Sequence, residues 1–252
     1  MYCNLIKVTC PVLLLFLATQ SLEAQEFFAP TEYRAFDDAN AGAAVSPFRD
    51  LEFDLFYLED FEDGLLNTPG VSLLEFATTG IGTSVSDSVD GDDGTIDGFA
   101  TGISRSLFSS LSTSSFTFEF DRSELGGQLP THVGIVWTDV GSSGGGVPNV
   151  DDLIDNTTFE AFDRNGDSFG LKGAFSLGDA SISRTTEEDR FIGFASPEGI
   201  SSFRIAMPGS DNWEVDHLQY GVTSVPEPAS MVILWGATLC FGFRRVRRHS
   251  RA

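Results

Sequence analysis

Several short stretches of the chain alternate apolar and polar residues with a period of two. Phe116–Phe120 (Phe-Thr-Phe-Glu-Phe) places three phenylalanines on one face, and Ser202–Met207 follows a similar pattern. This period is typical of β-strands with one buried face. His132–Thr138 is more continuously apolar, which predicts a strand that is buried on both faces. Further strands are predicted at Leu51–Leu58, Val71–Phe76, Thr158–Phe162, Ser168–Phe175, Phe191–Phe194 and Trp213–Tyr220.

The segments between these strands are rich in Gly, Ser, Asp and Pro, and none has the 3.6-residue periodicity of a helix. Many short strands separated by turn signals favour an all-β fold, built as a β-sandwich or jelly roll. We expect this body to span residues 51–223. Residues 25–50 are weakly patterned and are predicted to form an N-terminal strap.

One hairpin is predicted from its turn. Thr158–Phe162 and Ser168–Lys172 flank Asp163–Asp167, which contains the Asn-Gly pair that tolerates positive φ in tight hairpins. The spacing of Asp163, Asn165 and Asp167 also resembles the opening of a calcium loop. Ala174 stands where an EF-hand has its bidentate Glu, so the turn and the metal loop are alternative interpretations.

The chain begins with the outline of a secretory signal peptide. Residues 1–24 contain one lysine, Lys7, followed by an apolar stretch from Val8 to Ala18 and a polar exit. This order is typical of export signals, and cleavage is expected after Ala24.

The C-terminal segment, residues 224–252, combines three features in order. Pro226-Glu227-Pro228 cannot join a helix, because proline lacks a backbone donor and fixes φ. An apolar run of about 15 residues, Ala229–Phe243, follows and is short of the ~20 residues of a comfortable membrane span. Basic residues then close the chain: Arg244, Arg245, Arg247, Arg248 and Arg251.

This segment resembles the C-terminal sorting tail of PEP-CTERM proteins. The resemblance implies that an exosortase, a membrane peptidase-transferase, reads Pro226, Glu227 and Pro228 and processes the chain there. The apolar run would then be a short transmembrane helix that holds the protein transiently. Arg244, Arg245, Arg247 and Arg248 would form a cytoplasmic stop, in keeping with the positive-inside rule. We therefore expect a cell-surface or extracellular-matrix location.

Charge and cysteine content narrow the function further. The chain has a formal net charge of −22, and the charge becomes more negative without residues 1–24 and 224–252. Such a surface repels nucleic acid and attracts divalent cations. Cys3, Cys10 and Cys240 all lie in the terminal segments, so the body has no disulfide and no thiol chemistry.

The body also resembles the jelly-roll-like bodies of many PEP-CTERM surface proteins, which are similar to carbohydrate-binding jelly rolls. The resemblance covers most of Asp54–Gly221 and rests on Phe61–Gly64, Asp90–Gly98, Phe191–Phe194, Ile200–Phe203 and Trp213–Leu218. It implies a structural calcium shared by Glu62 and Asp216, with Asp60 as a possible helper. His217 departs from the pattern, which usually has a small polar or acidic residue there. A structural or adhesive role in the envelope or exopolysaccharide is expected.

Other candidate sites are weaker. An acidic loop (Asp90, Asp92, Asp93 and Asp97) is predicted to be a solvated turn or a second calcium site. A carbohydrate-binding module is the alternative function. Its candidate stacking residues are Trp137, Trp213, Tyr57 and Tyr220, which would otherwise belong to the core.

We expect no enzymatic activity. A glycoside-active enzyme would need two carboxylates across a cleft, and Glu119 and Glu160 are the candidate pair on predicted strands. His132 and His217 are the body's histidines, and neither lies near a nucleophile elbow.

Overall fold

The structure is a computed structural model and describes residues 25–37, 44–74, 79–81, 88–89, 105–109, 115–139, 157–173, 175, 177, 189–207 and 213–223. The predicted signal peptide, the sorting tail and the acidic loop from Asp90 to Asp97 lie outside these residues. Within these ranges, no helix is long and apolar enough to cross a membrane.

The described residues are organised as strands and turns, with no helix among them. The strands are β1 (Glu26–Glu32), β2 (Phe53–Glu59), β3 (Val71–Leu73), β4 (Thr79–Ile81), β5 (Leu107–Ser109), β6 (Ser115–Phe120), β7 (His132–Asp139), β8 (Thr158–Phe162), β9 (Lys172–Gly173), β10 (Arg190–Ala195), β11 (Ser202–Ala206) and β12 (Glu214–Thr223).

These strands form two antiparallel sheets. The large sheet has the order β1-β10-β7-β12-β5-β4, and β2 also pairs with β12. The small sheet has the order β3-β6-β11-β8-β9. The predicted all-β fold is therefore confirmed.

The alternating pattern of β6 shows how the sequence builds the core. Phe116, Phe118 and Phe120 are buried, whereas Thr117 and Glu119 point away from the core. Aromatic rings connect the two sheets: Phe116 with Trp213 at 4.2 Å, Phe120 with Tyr220 at 5.1 Å and Phe194 with Phe203 at 5.7 Å between centroids. The sheets thus pack face to face as a β-sandwich.

The outer face of the large sheet is covered by residues that precede β2. Tyr33 and Phe48 are fully buried there against Val136 and Phe191. Gly134 on β7 makes this packing possible, since a Cβ at this position would lie 2.3 Å from the Phe191 ring. Strands β7 and β12 are consequently buried on both faces, as the apolar run of β7 predicts.

The predicted hairpin is present. A β-bridge between Phe162 and Ser168 closes the turn, and the start of β8 pairs with β9. Gly166 has the positive φ of the turn, +82°, while Asn165 does not share it. The Asp163 carboxylate accepts the backbone N–H groups of Asn165 and Asp167 at 2.7 and 2.9 Å. This carboxylate therefore stabilises its own turn, which is the hairpin interpretation of the loop.

Three strands were not predicted: β1, β4 and β5. Strand β1 contains Pro30 and a register shift between Phe28 and Thr31, so its sequence lacks a clean two-residue period. Strands β4 and β5 have three residues each, too few to show any period. These segments become strands because they pair with neighbouring strands, and their own sequence pattern does not indicate it.

Candidate functional site

The candidate site lies where one side of β12 changes its neighbour. Glu214 and Val215 pair with β5, whereas Leu218–Thr223 pair with β2. Both neighbours run antiparallel to β12, so the end of β2 and the start of β5 face the same point of β12. Asp216 and His217 occupy that point, between the two paired stretches.

Glu62 and Asp216, distant in sequence, meet at this junction. The Ser88 hydroxyl lies 2.7 Å from Asp216 Oδ2 and 3.2 Å from Glu62 Oε1. Because one hydroxyl reaches both, these two carboxyl oxygens are no more than about 6 Å apart. The structure thus brings together the two acids predicted to share a metal.

Asp216 is fully buried and receives backbone donors on both oxygens. Val89 N–H donates to Oδ2 at 2.9 Å, and His217 N–H donates to Oδ1 at 2.7 Å. Hydrogen bonds from backbone amides favour the charged form of a carboxylate. These hydrogen bonds fix the position of the Asp216 carboxyl group at the junction.

The carboxyl group of Glu62 receives fewer hydrogen bonds than that of Asp216. Its Oε1 accepts the Arg105 N–H at 2.7 Å, while its buried Oε2 has no hydrogen-bond partner among the described residues. Burial is the main cause that raises the pKa of Glu62 to about 7, and the charges of Asp216 and Asp60 contribute to the rise. Oε2 of Glu62 is thus available to a ligand, and a positive charge bound there would stabilise the ionised carboxylate.

Asp60 supports the loop and stands close to the pair. Its Oδ1 accepts the Glu62 N–H at 3.1 Å, a local turn contact that helps to place Glu62. Glu59 was not predicted to matter, yet its buried carboxylate anchors the same loop. It accepts the backbone N–H groups of Phe61, Asn67 and Thr68 at 3.1, 2.9 and 3.1 Å.

Backbone strain marks both sides of the site. Among the described residues, Phe61 and His217 are the non-glycine residues with positive φ, +58° and +44°. Each is adjacent to one of the two acids. Such conformations cost about 1–3 kcal/mol and persist where surrounding structure enforces them, often at functional sites. A register shift between Asp216 and Gln219 accompanies the strained His217.

A buried polar chain holds His217 on the outer face of the large sheet, the face that Asp216 shares with Val136 and Tyr33. Tyr33 Oη lies 2.9 Å from His217 Nδ1 and accepts Gln219 Nε2–H at 3.1 Å. Ser46 Oγ donates to Gln219 Oε1 at 2.5 Å. Sequence reasoning missed Tyr33, Ser46 and Ser88, because these partners lie more than a hundred residues away from β12 and carry no local signal.

The negative charge of Glu62 and Asp216 suits the binding of a cation. Two carboxylates converge, and a buried oxygen of Glu62 lacks a donor. In the part of the chain that the structure describes, no group of three or more His, Cys, Asp and Glu side chains is arranged to hold a metal. Calcium takes 6–8 oxygens and accepts carbonyls and water, so Glu62 and Asp216 would supply only part of its ligands.

The aromatic residues proposed to stack on sugars are mostly core residues, which corrects that hypothesis. Trp137, Trp213 and Tyr220 are fully buried, and the two indoles stack on each other at 5.4 Å. Tyr57 is half-buried against Tyr220. None of the first three can present its ring face to a ligand.

Glu119 and Glu160, the candidate catalytic pair, lie on strands β6 and β8, with β11 between them. Glu119 is opposite Ser202, whereas Glu160 is opposite Arg204, so the two acids are also out of register. Adjacent strands are about 4.8 Å apart, which places the pair roughly 10 Å apart across the sheet alone. His132 lies among Phe28, Phe48 and Phe53.

Together, the fold and the site define an all-β sandwich protein in which buried Asp216 and partly buried Glu62 meet at the junction of three strands. Comparison of the chain with family models, curated proteins and solved structures gives no match.

Proposed function

We propose that the chain is an exported cell-surface or extracellular-matrix protein that an exosortase sorts through its C-terminal tail. The observation that carries the proposal is the order of Pro226-Glu227-Pro228, a short apolar run and terminal arginines. The acidic surface and the cysteine-free body agree with a protein that works outside the cell without disulfides. Its path would run through a signal peptide and a transient membrane-anchored stage.

The tail is tested by replacing Pro226-Glu227-Pro228 with three alanines. We expect an unprocessed precursor that stays with the membrane fraction, because the exosortase loses its extended recognition segment. Substitutions at flanking positions, Ser224→Ala and Ser230→Ala, serve as the control and leave processing intact. Normal release of the triple-alanine protein to the cell surface would contradict exosortase sorting.

We further propose that the jelly-roll-like body has a structural or adhesive role and is stabilised by calcium bound through Glu62 and Asp216. The support is the convergence of the two acids and the unpaired Oε2 of Glu62. A cation would offset the repulsion between two carboxylates in a partly buried setting. The predicted helper Asp60 would add negative charge beside them.

A calcium titration followed by thermal unfolding tests this site. Calcium that binds the folded state should stabilise it by about 2.7 kcal/mol at a hundred times its dissociation constant. Glu62→Gln should abolish most of this gain, whereas Asp54→Asn, an exposed acid on β2, should retain it. An unchanged melting temperature in wild-type protein with calcium would contradict the proposal.

The alternative function is a carbohydrate-binding module with surface polysaccharide as its partner. Since Trp137, Trp213 and Tyr220 are in the core, polar side chains on an open sheet face would have to hold the sugar. The outer face of the small sheet offers such side chains.

A further inference from the structure

The two sheets differ in how their outer faces are used. Residues before β2 cover the large sheet, whereas the central strands of the small sheet keep polar side chains partly or fully exposed. These outward residues are Ser115, Thr117 and Glu119 on β6, Ser202 and Arg204 on β11, and Thr158 and Glu160 on β8. The small sheet therefore presents hydroxyl, carboxylate and guanidinium groups to its surroundings.

A small depression of about 140 Å³ lies on this face, lined by Thr158, Glu160, Leu171, Arg204 and Ala206. The register of the sheet sets its polar groups side by side, with Arg204 opposite Glu160 and Thr158 opposite Ala206. Leu171 is 63% exposed at its rim. The volume is below the ~300–1,000 Å³ of pockets for drug-sized ligands, so it suits a single ring.

The carboxylate of Glu160 and the guanidinium of Arg204 are available to a ligand. The Thr158 hydroxyl donates to the Ala206 carbonyl at 3.4 Å, so it can serve a ligand as an acceptor. Ser168 Oγ donates to Glu160 Oε1 at 2.5 Å, which orients the carboxylate, and no hydrogen bond from the described residues occupies Oε2. Arg204 is exposed and takes part in neither ion pair found in the described part of the chain. A guanidinium fork can donate to the hydroxyls of a ligand while the carboxylate beside it accepts from them.

We propose that this depression binds one sugar ring of a neutral polysaccharide. Arg204 and Glu160 hold adjacent hydroxyls, Thr158 adds a hydroxyl contact, and Leu171 and Ala206 contact the C–H face of the ring. A neutral sugar fits better than an acidic one, because Glu119 and Glu160 lie on this face and the chain carries a net charge of −22. The source of the polysaccharide, the envelope or matrix, rests on the proposed function.

The test is electrophoresis of the exported protein through native gels that contain a neutral glucan, galactomannan or xylan, with alginate as the acidic polysaccharide. We expect at least one neutral polysaccharide to slow the wild-type protein. Arg204→Gln and Glu160→Gln should each weaken the apparent affinity about tenfold or more, since each removes a charged hydrogen-bonding group. Arg122→Gln, at an exposed arginine in the turn after β6, should bind like wild type.

Thermal unfolding of each variant verifies that it is folded before its mobility is compared. The inference is overturned if no neutral polysaccharide slows the protein, if alginate alone does so, or if folded Arg204 and Glu160 variants bind like wild type. Exported and processed protein that fails to bind would overturn this inference and leave the sorting proposal intact. Protein that binds but is never exported would overturn the sorting proposal instead.

Discussion

At the scale of single residues, the body is most unusual around Glu62. This side chain is partly buried beside two other carboxylates, and only Oε1 accepts a backbone donor among the described residues. Asp216 differs, because backbone N–H groups reach both of its oxygens. The same chemical group therefore has hydrogen bonds to both oxygens at one position and is disfavoured as an anion at the other.

Glu62 should make the calcium-free protein less stable as pH rises. Its pKa is about 7 in the folded state against an ordinary value of 4.5, so the folded state binds the proton more tightly than the unfolded state does. The stabilisation is present below pH 4.5 and is lost as pH rises through 7. Because Glu62 is partly exposed, solvent screens part of this effect. We therefore expect the free energy of unfolding to fall by about 1–2 kcal/mol, less than the full equivalent of the pKa shift.

The measurement is urea unfolding in chelator between pH 4 and 8, compared with Glu62→Gln. The comparison is necessary because burial lowers the pKa of His132 from 6.5 to about 4. His132 therefore makes the protein less stable as pH falls below 6.5, which is opposite to the effect of Glu62. The difference between the two proteins isolates Glu62. Parallel pH profiles for wild type and variant would contradict the environment assigned to Glu62.

At the scale of elements, the segment before β2 is part of the sandwich rather than an appendage. Tyr33 and Ser46 reach β12 through Gln219, and Tyr33 also reaches the strained His217. This chain lies beside Asp216, on the outer face of the large sheet that Phe48 covers. The segment therefore helps to hold the β12 bulge that places the acid.

Tyr33→Phe should destabilise the protein by about 1–3 kcal/mol, because it leaves the buried polar groups of Gln219 and His217 short of a partner. Urea unfolding midpoints at constant m-value measure the change. Tyr57→Phe is the matched control, since its ring is half-buried and its hydroxyl makes no hydrogen bond to the residues that the structure describes. Equal midpoints for Tyr33→Phe and wild type would show that this polar chain does not stabilise the fold.

The elements that sequence alone predicts are those with a strong local pattern. Strands β6, β7, β8, β10 and β11 match predicted stretches, because alternation or continuous apolarity marks them directly. The hairpin turn follows from Gly166 in the same way. Strands β1, β4 and β5 lack such a pattern and exist through their pairing partners.

Only part of the candidate site can be predicted from the sequence. Glu62 and Asp216 were paired through a family resemblance, and nothing in their local sequence indicates that they meet. Ser88, Arg105 and the bulge at His217 complete the junction through contacts that depend on the whole fold. Composition likewise could not decide whether Trp137 lies in the core or on the surface, because burial depends on sheet packing.

At the scale of the whole molecule, the two terminal segments and the body have different proposed roles. Residues 1–24 and 224–252 are proposed to direct export and sorting, and the sandwich remains as the working part. A cysteine-free body of this kind must rely on its aromatic core, and the proposed calcium would add to that stability. With its net charge of −22, the chain is expected to repel nucleic acid.

The most direct test of this account is the intact mass of the protein recovered from the outer surface of the cells that produce it. We predict a mass that lacks residues 1–24 and ends near Pro226–Pro228, apart from any group joined by the exosortase. A mass that still includes Met231–Ala252 would contradict the account, because the tail would then be a permanent membrane anchor.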